Sequence, residues 1–72
     1  MEASPQKLDE QMTELIALGA SVACNCHPCV QFHTGKAHKL NIEPAMIQQA
    51  VEIGKMVRKG AAGQMDKLLE NL

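Results

Sequence analysis

Apolar residues recur at three- and four-residue intervals along almost the whole chain and never settle into alternation with polar ones, so helices are the regular structure this sequence can build. Glycine and proline are sparse, and Ala, Leu, Met, Gln, Glu and Lys, all good helix formers, are abundant. Leu8, Met12, Leu15, Ile16, Gly19, Val22 and Ala23 share one face of a first helix, read over residues 5–23 with Ser4 as its N-cap and Pro5 at its first position. Asn25 suits both the break that follows and the N-cap of a second helix over residues 26–39. Pro28 is tolerated there because a first turn needs no internal N–H donor. Asn41 can take the left-handed conformation that ends this helix. Glu43 and Pro44 open a third helix, with Met46, Ile47, Ala50, Val51, Gly54 and Val57 in register and the cations Lys55, Arg58 and Lys59 toward its C-terminal end. Gly60 and Gly63 are expected to loosen the chain before a last short helix striped with Met65, Leu68, Leu69 and Leu72. The reading is an all-α domain of about four helices.

Seventy-two residues leave room for a single domain over residues 1–72, and a domain this short buries only about 60% of its unfolded surface. Its own core is therefore marginal. Residues 15–24, LIALGASVAC, are apolar nearly all round the first helix, more than so small a core needs to cover, and a homo-oligomer is expected to cover the rest. A net charge of −1 offers no broad electrostatic footprint, so neither nucleic acid nor an anionic membrane surface is an expected partner. The opening MEASPQKLDEQM is polar and acidic where a secretory leader would be basic and then apolar, which points to the cytoplasm. The longest run without a formal charge, residues 15–35, is interrupted by His27, Pro28 and His33 and is not read as a membrane span.

Three cysteines, an odd number, argue against a structural disulfide framework and for buried, metal-binding or redox-active thiols. Cys26 and Cys29 stand three residues apart at a helix N-terminus, where free N–H groups and the helix dipole stabilise a thiolate. His33 follows Cys29 by four residues, so Cys26, Cys29 and His33 share a helical face with Val30, Ala37 and Leu40. A base beside a thiol on a low-polarity face suits thiol activation, since the thiolate is the nucleophile. A thioredoxin reading lacks the strand that should precede the dithiol, and Val30 stands where a c-type haem site needs its histidine. Cys24, Cys26, Cys29 and His33, or His27 in place of one of them, are enough ligands for zinc, but structural zinc sites usually join two separated pairs and these fall within ten residues. Cys24 is read as a small buried residue, His27 and His38 as exposed, and Glu14, off the apolar stripe of the first helix, as solvated by periodicity.

Glu14, then eleven residues, then Cys26-x-x-Cys29-x-x-x-His33, Asn41 and a helix opened by Pro44 form a pattern that resembles the alkylhydroperoxidase D and carboxymuconolactone decarboxylase family. The likeness covers about Met12 to Gly63. Because the lactone decarboxylases lack the cysteine pair, it points to the peroxidase-like branch. The resemblance implies an all-helical oligomer whose dithiol reduces hydroperoxides and cycles through a disulfide. Carried onto this chain, Glu14 would orient or polarise His33, His33 would draw the proton from Cys29, and Cys26 would be the partner thiol. Pro28 stands where well-studied peroxidase members often carry a histidine, and His27 lies one place earlier.

The expectation is thus a cytoplasmic, antioxidant thiol oxidoreductase, a hydroperoxide reductase with Cys26, Cys29, His33 and Glu14 as its catalytic set. It would act on a hydroperoxide substrate with an external thiol or dithiol reductant, and would need no cofactor and no metal. The helix N-terminus favours Cys26 as the attacking thiol and the histidine favours Cys29. Two alternatives stand beside it: a non-peroxidatic dithiol module that exchanges electrons with a protein partner or senses oxidation, and a zinc-stabilised structural domain.

Overall fold

The computed structural model describes residues 7–72, and every regular element among them is a helix. Three helices follow one another: α1, Glu10–Ala23; α2, His27–Lys39; and α3, Pro44–Glu70. Helix α1 is the hub. α2 runs antiparallel to it on one side, joined by Gln11 to the Leu40 carbonyl and by Glu14 to His33. α3 runs alongside α1 in the same direction, with Gly19 beside Ala50, Val22 beside Gly54 and Asn25 bonded to Arg58.

Helix ends decide this layout. Residues 7–9 are not helical, so α1 starts at Glu10 rather than near residue 5. Asp9 is its cap, with Oδ1 accepting the Met12 N–H at 2.7 Å; Ser4 and Pro5 lie outside the described residues. Among the described residues Asn25 and Asn41 are the two non-glycine residues with positive φ, each at 59°. Asn41 ends α2 as its sequence suggested. Asn25 does not cap α2 but terminates α1 in the same way. In both turns the asparagine N–H reaches back three residues, to Val22 or His38, and the next residue's N–H reaches back five, to Ser21 or Ala37. This pairing is a Schellman motif, and it answers the last carbonyls of each helix.

The break expected at Gly60 is absent, and α3 is continuous for 27 residues, giving three helices rather than about four. An exposed glycine costs a helix only about 1 kcal/mol relative to alanine. Ala61, Ala62 and the long side chains around them carry the helix through.

The core comprises Leu18, Val22, Ala37, Ile42, Ile47 and Ala50, with Leu15, Val30, Leu40 and Val51 packed against it. The buried line of α1 is Glu14, Leu18, Ser21 and Val22. Of the seven-residue apolar stripe read from the sequence, Val22 alone is on that line, Leu15, Gly19 and Ala23 are half-buried, and Leu8, Met12 and Ile16 remain exposed. α3 approaches α1 closely because Gly54 has no side chain. A Cβ there would come within 2.5 Å of the Gly19 carbonyl oxygen and 2.7 Å of the Val22 Cβ.

Gly54→Ala should therefore destabilise the fold by about 1–3 kcal/mol through overpacking, despite its better helix propensity. Gly60→Ala, where nothing lies within 4 Å of the added carbon, should stabilise by about 0.5–1 kcal/mol. Denaturant midpoints of the two variants, shifted in opposite directions, check the account.

Candidate functional site

Cys26 is the N-cap of α2. Its Sγ accepts the Cys29 N–H at 3.3 Å, so a sulfur does the work usually given to a serine or aspartate oxygen. The Schellman turn at Asn25 delivers it there, because the Cys26 N–H is tied back to the Ser21 carbonyl at 3.0 Å. Pro28 fits the first turn, where no N–H is needed. Cys26 and Cys29 are joined as a disulfide, their Cα atoms 5.2 Å apart. When that bond is reduced, a Cys26 thiolate would meet the same N–H and the positive end of the α2 dipole.

One turn beyond Cys29, on the same face of α2, stands His33. Its Nδ1 lies 2.7 Å from Oε1 of Glu14, reaching over from α1. Periodicity placed Glu14 in solvent, but it is only 5% exposed, because α2 packs over that side of α1. Its second oxygen, Oε2, lies 3.6 Å from Nζ of Lys36, one turn after His33. The His33 bond holds the Glu14 carboxyl below its ordinary range, burial opposes that shift, and the Lys36 charge adds to it. An ionised carboxylate can only accept, so Nδ1 of His33 carries the proton and a neutral imidazole keeps its Nε2 lone pair free. The Phe32 ring meets the His33 ring edge-on at 5.0 Å.

Of the four candidate residues, the structure joins Cys26 to Cys29 and Glu14 to His33, and sets His33 one helical turn from Cys29. Lys36 was not singled out from the sequence. Its spacing, three residues after His33 on the same helix, is the signal that could have found it. Cys24, expected to be buried, is exposed at the end of α1, its thiol directed at the Ser21 carbonyl at 3.6 Å. His27 and His38 are exposed, as their helical positions suggest. Among the described residues no three His, Cys, Asp or Glu side chains gather as metal ligands, so the zinc set is not assembled. No described helix is long and apolar enough to cross a membrane.

An all-helical fold carrying a CxxC at a helix start, backed by a histidine–carboxylate pair, defines a class of dithiol protein. The carboxymuconolactone decarboxylase family model matches residues 1–64, and the chain belongs to that family. Neither the curated proteins nor the solved structures gave a significant match.

Because its carboxyl is held below the usual range, Glu14 contributes stability that is complete above the unfolded value and is lost as pH falls through the folded one. Acid unfolding followed by circular dichroism should therefore show Glu14→Gln less stable than the parent at neutral pH. The two should converge as the medium is acidified below the ordinary carboxylate range.

Proposed function

We propose that this chain is a thiol-dependent hydroperoxide reductase of the cytoplasm, cycling between a Cys26/Cys29 dithiol and their disulfide. The observation that carries the reading is the Glu14–His33 hydrogen bond, 2.7 Å long, which fixes a base one turn from a cysteine bonded to its CxxC partner. Family membership and the capping of Cys26 support it.

In the cycle, Nε2 of neutral His33 takes the Cys29 thiol proton. The thiolate attacks a peroxide oxygen; an S–O bond forms, the O–O bond breaks, and the departing alkoxide recovers the proton from the imidazolium as an alcohol. Buried Glu14 holds the ring in the required tautomer, and the His33 bond, with the Lys36 charge adding to it, keeps Glu14 ionised. The Cys26 sulfur then attacks the Cys29 sulfenic acid. An S–S bond forms, the S–O bond breaks, and hydroxide leaves as water with the Cys26 proton. An external dithiol restores the pair by thiol–disulfide exchange, supplying two electrons and leaving as its own disulfide. With Pro28 where peroxidase members often have a histidine, the proton path in this chain runs through His33.

Mass spectrometry of reduced protein treated with one equivalent of an organic hydroperoxide should show loss of two hydrogens and a Cys26–Cys29 link. Cys29→Ser should abolish peroxide consumption. His33→Gln should slow it about 10²- to 10⁴-fold at neutral pH, the range for loss of a general base. Parent-rate consumption by Cys29→Ser would overturn the assignment. Negligible consumption by the parent, combined with fast exchange with protein dithiols, would instead identify a module that passes electrons to a protein partner.

A further inference from the structure

On the open side of α2, one turn beyond Cys29, lies a hollow of about 450 Å³ walled by Gln31, Phe32, Gly35, Lys36 and Lys39. Phe32, Gly35, Lys36 and Lys39 stand at three- and four-residue spacing, so they form one strip along the helix that continues the row of Cys29. Gly35 leaves the floor bare, since nothing lies within 4 Å of the Cβ it lacks.

Phe32 is the single phenylalanine of a chain without tryptophan or tyrosine, yet the core does not use it. It is 63% exposed, and its ring stands against that of His33. The charge beside it is of one sign. α2 has no carboxylate of its own and carries Lys36 and Lys39 toward its C-terminal end. Glu14, which reaches this helix from α1, is buried and already answered by His33 and Lys36. Among the described residues no carboxylate pairs with Lys39. Lys36 and Lys39 lie about 10 and 15 Å beyond Cys29 along the helix axis. The strip thus presents, in order, the dithiol, an apolar ring over a bare floor, and an unneutralised cation.

Resting on the hydroperoxide-reductase reading above, we propose that this strip selects the substrate, and that the substrate is an organic hydroperoxide whose apolar chain ends in a carboxylate. The peroxide lies at Cys29, the chain crosses Phe32 and Gly35, and the carboxylate meets Lys39. Lys36, turned to Glu14, adds its charge from alongside. Phe32 and Lys39 bind and orient; neither moves a proton. An exposed ion pair of this kind discriminates by about two- to fivefold and weakens with salt.

The test compares linoleic acid hydroperoxide with its methyl ester on the reduced full chain, with cumene hydroperoxide as a substrate that carries no carboxylate. For the parent, kcat/KM should favour the acid over the ester about two- to fivefold at low salt, and the ratio should fall toward one as salt is raised. Lys39→Gln should bring that ratio to about one through the KM for the acid. The position is exposed, and circular dichroism reports whether the helices are kept. Occupancy is read without turnover by titrating decanoate while following the Phe32 ring signals by NMR. They should move with decanoate, and less with decanol or in Lys39→Gln. Acid and ester consumed equally, with a Phe32 ring that decanoate leaves unmoved, would overturn the proposal; cumene hydroperoxide consumption would then keep the reductase reading in place. A Lys39→Gln protein that retains the parent's acid preference would overturn it as well. A ring that moves with decanoate in a protein that consumes none of the three hydroperoxides would uphold the carboxylate site and overturn the reductase reading on which its substrate rests.

Discussion

A carboxylate withdrawn from water between two helices must be paired, or the helices cannot close over it. Glu14 is that carboxylate, and it is answered on one oxygen by His33 and on the other by Lys36, both from α2. The pairing fixes how α2 is rotated and at what height it lies against α1. One helical turn before His33 is Cys29, and one turn before that is Cys26, so the same pairing sets the imidazole and the cysteine pair as a unit. Ala37, fully buried on the same helix, continues that contact as ordinary packing. The electrostatic contact that closes the α1/α2 pair is thus the one that fixes the His33 ring one turn from Cys29.

The ends of the helices do the rest of the positioning. A Schellman turn on Asn25 brings the chain round with the Cys26 N–H tied to Ser21, which leaves the Cys26 sulfur as the natural acceptor for the first free N–H of α2. A sulfur that caps a helix is held where a thiolate is most stable. The second Schellman turn, at Asn41, leads into Ile42, one of the few large apolar side chains this chain buries, and on to Pro44, which starts α3.

α3 obeys a different constraint. Its first half is held against α1 by a glycine contact that leaves almost no space, while its second half runs past the end of α1 with nothing from the described chain beside it. A domain of this size has too few residues to cover both faces of α1. The core goes to Leu18, Val22 and their neighbours, and the opposite face stays open as a groove.

Much of this was legible in the sequence. Helical periodicity, the Asn41 stop, the Pro44 start, and the shared face of Cys26, Cys29 and His33 follow from local chemistry, because caps, proline and the 3.6-residue repeat act over a few neighbours. The surplus of apolar surface between Leu15 and Cys24 was legible too, since composition alone exceeds what so short a chain can bury. Local rules failed where the outcome depends on what lies across a gap. Glu14 looked solvated because its own helix contains no reason to bury it; only α2 supplies the histidine and lysine that make burial tolerable. Asn25 could cap one helix or end another, and hydrogen bonds back to Val22 and Ser21 chose the latter. Gly60 read as a break because glycine lowers local propensity, yet the cost is small enough for the flanking residues to carry the helix through. Sequence by itself determined the helices and the residues able to do thiol chemistry. Tertiary structure decided that Glu14 is buried, with Lys36 as well as His33 against it, and which apolar face is left uncovered, because those depend on contacts between residues far apart in the chain.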